Sequence, residues 1–354
     1  MMMSRRWFGA VPAGLVVALC VSGCGPQVVT VPSAPAPTPT SAPLIPGATS
    51  TPSPSSRTVA PVSARWVPAA QVATTAARLI NTARHTVDVE MYELGNPALV
   101  GALILAAHRG VQVRVILDAT ESQSVAAAPI LRAGGVQVET VTVPRGGIDH
   151  VKLLVVDGTT TLTGGVNWGS GSSDTTDADV LLSTDPAAAQ TFADDWTTAP
   201  GHPTSGAWPD PSGPDALSGT AIQREMVSLI QQASVPIDVA ANYLTNYTIQ
   251  DALAAAAARG IPVHVVINAS AYGATPATAW LTSHGVSVRS APAEPYLHAK
   301  ILLAGDTGII GSANFSYDAL SARNHEFDVV LPAAVIPSAH AWFNTLWAAS
   351  QPAS

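Results

Sequence analysis

Lysine is nearly missing from this chain: of its 16 basic side chains only Lys152 and Lys300 are lysines, and the rest are arginines. Cysteine is as rare, with Cys20 and Cys24 alone, both close to the N-terminus. The remainder therefore has no disulfide, no thiol nucleophile and no cysteine metal site. Charged residues make up 11% and the net charge is -8, which argues against a broad basic face for holding polynucleotides. No P-loop, GxGxxG, Ser-His-Asp elbow or metal-ligand cluster is spelled out, so neither metal nor cofactor is expected. Apolar residues are plentiful, 47% of 354 positions, enough for one large domain or two of average size.

Residues 1–24 read as an export signal. Arg5 and Arg6 precede an apolar run too short to span a bilayer, which ends in small residues before Cys24. That ending resembles the lipobox of bacterial lipoproteins, in which the cysteine is lipid-modified; the paired arginines with Phe8 resemble a Tat signal. The expectation is an extracytoplasmic protein, secreted or held through Cys24 on the outer face of the cell membrane or in the cell wall. Residues 25–64 are rich in Pro, Ser, Thr and Ala without apolar period, the composition of a disordered, extended tether.

The rest is duplicated. "VDVEMYELGNPALVGALILAAHRGVQVRVILDA" starts at Val87, and "IDVAANYLTNYTIQDALAAAAARGIPVHVVINA" starts at Ile237. Each copy reads as a strand, a helix stopped at Arg-Gly, and a strand of β-branched residues. Two α/β halves follow, 65–200 and 220–354, joined by a linker at 201–219. If the halves pack about a pseudo-twofold axis, a motif present once in each becomes one paired site.

Both lysines belong to such a motif. His150-x-Lys152 leads through four apolar residues to Asp157, then to Gly164, Gly165 and Asn167; His298-x-Lys300 leads to Gly311, Ser312 and Asn314. In a strand, residues i and i+2 share a face, so each His and Lys point together into the presumed cleft. Two such sets place two nucleophile-or-acid imidazoles, two ammonium groups and two amides around one anion. That inventory suits in-line displacement at a phosphodiester: one His attacks phosphorus while the other handles the alcohol proton.

HxKxxxxD followed by GGxN or GSxN, twice in one chain, resembles the phospholipase D superfamily with its paired HKD motifs. The resemblance covers the chain from about Arg65. It implies one monomeric α/β/α phospholipase D-like domain of two duplicated halves, with the active site at their pseudo-twofold interface. It also implies phospholipid phosphodiester hydrolysis or transfer through a phosphohistidine, with the first-motif His the usual nucleophile. Catalytic residues carried over are His150, Lys152, Asp157, Asn167, His298, Lys300 and Asn314; Asp306, Asn324, Glu326, Gly165 and Ser312 are candidates for support. The second copy departs from the pattern: Gly305 stands five residues after its lysine and Asp306 comes one step later, in a shorter turn. The first-half counterpart of "NHE" (Asn324 to Glu326) is open by two residues, between Asp177 and Asp179.

Tyr92, Glu93, Asn242, Trp168 and His325 are further candidates for the cleft or its rim, while Asp118 and Asn268 read as turn caps. Three other functions share the motifs: a secreted nuclease, a phosphatidyl transferase of cardiolipin-synthase type, and a non-catalytic anion-binding module. The acidic balance and the expected membrane anchor favour lipid over nucleic acid.

Overall fold

The computed structural model describes residues 63–199 and 216–353. The export signal, Cys24 and nearly all of the tether expected from the sequence lie outside these residues. Described structure resumes inside the expected linker: Ala216–Leu217 form an edge strand and a helix begins at Gly219. All the core residues named below lie in the compact portion Thr58–Ser354, which therefore carries a core of its own.

Seven strands make the first sheet: β1 (Ala64–Pro68), β2 (Thr86–Met91), β3 (Gln112–Asp118), β4 (Gln137–Val141), β5 (Lys152–Val156), β6 (Thr160–Gly164) and β7 (Ala178–Ser183), in the order β1-β7-β6-β5-β2-β3-β4. Eight make the second: β8 (Ala216–Leu217), β9 (Ile237–Ala241), β10 (Val263–Ile267), β11 (Ser287–Ser290), β12 (Lys300–Ala304), β13 (Thr307–Gly311), β14 (Asp328–Val330) and β15 (Gln351–Pro352), in the order β15-β11-β10-β9-β12-β13-β14-β8. Each sheet has the same plan. The two strands that open each repeated segment run parallel, and the motif strand lies antiparallel to the first of them: β5 on β2, β12 on β9.

Helices α1 (Ala69–Thr82), α2 (Pro97–His108) and α3 (Ser122–Ala133) cover the outer face of the first sheet, and α4 (Pro186–Thr198) lies on its inner face. In the second half α5 (Gly219–Gln232), α6 (Tyr247–Ala258) and α7 (Ala274–Ser283) cover the outer face; α8 (Tyr317–Leu320) is a single turn, and α9 (Ile336–Ala349) joins the core shared by both sheets. The sequence explains the helix ends. Asn96 and Asn246 accept amide hydrogen bonds as N-caps, and Gly110 and Gly260 leave the helices at φ +85, where a side chain would be strained.

Strand alternation sets the layers. Val151, Leu153 and Val155 enter the shared core with Ala299, Ile301 and Leu303 from the other half, while Leu154 and Val156 face the outer helices. His150 and Lys152 have the second parity and stand at the end of β5, where the two sheets meet.

Asp157 requires a correction to its expected catalytic role. It sits at the far end of β5 from Lys152, roughly 17 Å along the strand. Its carboxylate accepts the backbone amides of Arg84, His85 and Thr86 at 2.7–3.2 Å, pinning the turn to the start of β2. Asp157 (φ 51) and Gly158 (φ 68) share left-handed backbone. In the second half only Gly305 (φ 63) does, and β12 joins β13 through two residues instead of three. This matches a II′-type hairpin, which wants glycine first. Asp306 is therefore an exposed turn residue, remote from the site as well. His340 of α9 serves the turn instead, its ring bridging Gly305 O (2.8 Å) and Asp238 (3.2 Å). Asp157→Ala is expected to cost about 2–3 kcal/mol, from lost amide partners and positive φ, and Asp306→Ala under about 0.5 kcal/mol. Urea unfolding of both variants measures the difference.

Candidate active site

The two motif histidines are held from opposite halves. His150 Nδ1 is 2.9 Å from Glu326 Oε2, and His298 Nδ1 is 2.8 Å from Asp177 Oδ2. The backbone makes this exchange unavoidable. His150 N donates to His325 O (2.8 Å) and His325 N to Ile148 O (2.9 Å); His298 N donates to Thr176 O (3.1 Å) and Thr176 N to Tyr296 O (2.9 Å). The segment before each histidine thus pairs with the segment before the other half's acid.

The structure also resolves which aspartate corresponds to Glu326. Asp177 bonds His298, whereas Asp179 accepts the amide of Val166, as Asp328 accepts that of Ala313. So Asp177 matches Glu326 and Asp179 matches Asp328. Ser312 donates to Glu326 at 2.6 Å. Its counterpart Gly165 has no room for a side chain, because a Cβ there would stand 2.5 Å from the Asp177 carboxylate. Asn324 supports Glu326 from the other side, donating at 3.1 Å.

Both lysines are fully buried. Each Nζ donates to the backbone oxygen of its own motif histidine, and Lys300 Nζ also lies 3.1 Å from His298 Nε2. With Nδ1 committed to Asp177, Nε2 is the acceptor in that contact. Lys152 stands 5.1 Å from the centre of the Tyr92 ring, which itself meets His150 edge-on at 5.0 Å. Tyr296 meets His298 likewise at 5.9 Å.

Titration follows this packing. Burial drives Lys152 down to about 7 and Lys300 to about 8, and Lys300 adds repulsion to Lys152. Burial and the neighbouring Lys300 bring His298 down to about 4 against the pull of Asp177. His150 is lowered too, by burial, with Glu326 opposing. Burial works to raise Glu326, yet His150, Lys152 and Ser312 outweigh it and hold the carboxyl at about 2. Burial, more than any neighbouring charge, thus disfavours the cationic forms of both lysines and of His298.

A cleft of about 220 Å³ opens at His298, lined by Glu93, Asn167, Ser172, Thr175 and Tyr296. Asn167 bonds Glu93. Asn314 sits at the equivalent place in the second half, and each asparagine keeps a buried side-chain oxygen without a hydrogen bond. Glu93 and Tyr92 do reach the site. Trp168 is a core residue; Asn242 is buried and accepts from Asn268, and Asp118 caps its turn. His325 is not on the rim: it lies in the shared core, Nε2 3.2 Å from Glu90 and 3.4 Å from Asp195. Burial opposes its proton, but the two carboxylates raise it well above the ordinary range. One ligand atom from each of these three side chains falls within 4.8 Å of the others, close enough to share a cation as well as a proton.

Fold and site together define a duplicated α/β protein with a twofold histidine–lysine centre. The family model described as "Cardiolipin synthase, PLD-like domain" matches residues 77–197 and 226–347, once in each half. The chain belongs to the phospholipase D superfamily. Among curated relatives, "Phospholipase D" of Rickettsia bellii is 28% identical over 118 residues, 33% of this chain and 58% of that protein. "Mitochondrial cardiolipin hydrolase" of Xenopus tropicalis is 33% identical over 109 residues, 30% and 50%. The chain thus spans about half the length of these relatives. The phosphatidylserine synthase of Haemophilus influenzae shares the fold, with a TM-score of 0.63, 11% identity and 82% and 87% of the two chains covered. Polyphosphate kinase from Porphyromonas gingivalis shares it at 0.55 and 14%, over 76% and 44%.

An anion between the lysines raises their proton affinity, so binding strengthens as pH falls through 8 and 7. Sulfate, whose own charge is constant here, is expected to raise the thermal midpoint near pH 6.5 and far less near pH 9.5. Lys300→Met should lose that difference; a sulfate effect independent of both pH and Lys300 would contradict it.

Proposed function

We propose that this protein is a phospholipase D-type phosphodiesterase, hydrolysing or transferring the phosphatidyl group of phospholipids through a phosphohistidine. The convergence of two His-Lys pairs carries the reading, each histidine fixed at Nδ1 by a carboxylate of the opposite half. Fixing Nδ1 selects the tautomer and leaves the chemistry to Nε2, which at His298 lies against Lys300 Nζ. His298 lines the cleft that suits a head group, so His298 is assigned as the acid at the leaving alcohol and His150 as the nucleophile.

The His150 Nε2 lone pair forms the P–N bond as the P–O bond to the head group breaks, and the departing alkoxide takes the Nε2 proton of His298. The bound phosphodiester supplies the negative charge that lets His298 carry that proton. Water then gives a proton to His298 while its oxygen bonds phosphorus; the P–N bond breaks and its electron pair returns to His150. The products are phosphatidic acid and the head-group alcohol; an alcohol in place of water gives transfer. Lys152 and Lys300 stabilise charge on the non-bridging oxygens, an effect of roughly 10²–10³-fold per preorganised group.

The names of the curated relatives and the net charge of -8 support a lipid substrate over a nucleic acid. The sequence's lipobox-like ending at Cys24 supports an extracytoplasmic, membrane-anchored setting. Mixed phospholipids and plasmid DNA, each incubated with the protein in EDTA, separate the readings. Release of head group with intact DNA is expected, and DNA nicking without lipid turnover would make the protein a nuclease.

The mechanism has its own tests. With a p-nitrophenyl phosphodiester, whose leaving group needs no acid, His298→Ala should accumulate a covalent adduct on His150, seen by mass spectrometry, and His150→Ala none. An adduct on His298 in the His150→Ala variant would reverse the roles. Asp177→Asn should lower turnover by roughly 10²-fold and move the optimum to lower pH, because Asp177 raises the proton affinity of His298. Asp179→Asn, which keeps an oxygen for the Val166 amide and lies off His298, should leave that optimum in place.

A further inference from the structure

The six tyrosines of the chain are gathered in one place. Tyr92 follows β2, Tyr243 and Tyr247 follow β9, Tyr272 follows β10, Tyr296 precedes β12, and Tyr317 follows β13. Ladder pairing of Lys300 and of Ile267 with Ala241 puts these strand ends on the edge that holds the active site. Three of them stand out into solvent: Tyr247 is 79% exposed, Tyr272 86% and Tyr317 70%.

They arise from abutting turns. Asn246 N, beside Tyr247, donates to Phe315 O, two residues before Tyr317. The Thr245 side chain would stand 2.5 Å from a Cβ at Gly273, the neighbour of Tyr272. The duplication supplies a contrast. The equivalent first-half residues are Pro97, Ser122 and Ser170, which are exposed but not aromatic. The phenols therefore do not follow from the fold, since the same turns form without them.

Beside Tyr317 is a hollow of about 390 Å³ lined also by Val143, Arg145 and Arg323. Both arginines are exposed, in a chain whose net charge is -8. Tyr296, 42% exposed, links this side to the cleft, which it lines with His298.

We propose that this tyrosine edge of the second half docks on a phospholipid bilayer bearing anionic head groups. The inference rests on the phospholipid reading above and names the surface by which that substrate is met. A phenol has an apolar ring and a polar tip, and such residues settle at membrane–water interfaces. Arg145 beside them faces the negative surface potential of an anionic leaflet, while Arg323 is paired with Asp318 at 3.0 Å. Acidic side chains stand on both sides of the cleft, Glu93, Glu121 and Asp174 in the first half and Glu294 and Asp318 in the second, so the tyrosines set which edge meets the lipid. Seated this way, the mouth of the cleft lies at head-group depth.

The test uses Thr58–Ser354, which carries its own core and lacks Cys24. Vesicle sedimentation is run on a His150→Ala/His298→Ala background so that the lipids stay intact. Tyr247→Ser/Tyr272→Ser should lower the partition coefficient on phosphatidylglycerol-containing vesicles at least ten-fold, and Leu105→Ser, an exposed apolar residue elsewhere, should not. Arg145→Gln should reduce the preference for anionic over phosphatidylcholine vesicles. In the active protein the tyrosine pair should reduce vesicle turnover while leaving turnover of a monomeric short-chain phospholipid within two-fold. Unchanged partition of the tyrosine variant overturns the proposal, as does an equal loss from Leu105→Ser or a loss of single-stranded DNA binding in place of vesicle binding. If vesicles bind through these tyrosines but no phospholipid is turned over, the docking stands and the substrate reading fails.

Discussion

Two short backbone exchanges between the halves decide everything at the site. Asp149 bridges His325, and Leu297 bridges Thr176, each pair parallel and each isolated from the large sheets. Because the residue after each bridge is a motif histidine on one side and its acid on the other, the bridges deliver Glu326 to His150 and Asp177 to His298. Neither half can position its own histidine. A single half would leave an imidazole without its carboxylate and a buried lysine without counter-charge, which is costly in a low-dielectric interior.

Charge in this region is balanced by graded protonation as much as by pairing. Glu326 is held ionised, whereas burial raises Asp328 to about 8 and Asp179 well above the usual carboxyl range. Glu326, which touches His150, thus stays negative, and Asp179 and Asp328 behind the histidines bind backbone amides. Both lysines fall toward neutrality through burial. An anion entering between them would restore their charge, so anion binding and protonation reinforce each other.

Much of this was legible. The repeat at Val87 and Ile237, the Arg-Gly helix stops and the two His-x-Lys pairs gave the twofold plan and the central residues, since strand period and helix ends are local properties. Asp157 was not legible in the same way. A motif letter says that a residue belongs to the unit, but only the ladder shows it at the opposite end of β5, bonded to Arg84, His85 and Thr86. Asp177 and Asp179 have the same charge and lie on alternate positions of one extended segment. No local rule separates them; the contact with His298 does. His325 follows the same logic: its neighbour Glu326 faces the site, and alternation turns His325 the other way, off the rim and toward Glu90 and Asp195.

The sequence by itself determined the duplicated α/β plan, the two His-Lys pairs and the contrast of tyrosine against proline and serine at matching turns. Each depends on composition or spacing within about 30 residues, the range over which local backbone preference and side-chain period act. The tertiary structure decided which acid serves which histidine, how far burial moves the lysines, and on which edge the tyrosines meet. Those outcomes depend on packing between segments far apart in the chain, such as His150 against Glu326, and that separation is closed only when the two sheets bury their common core.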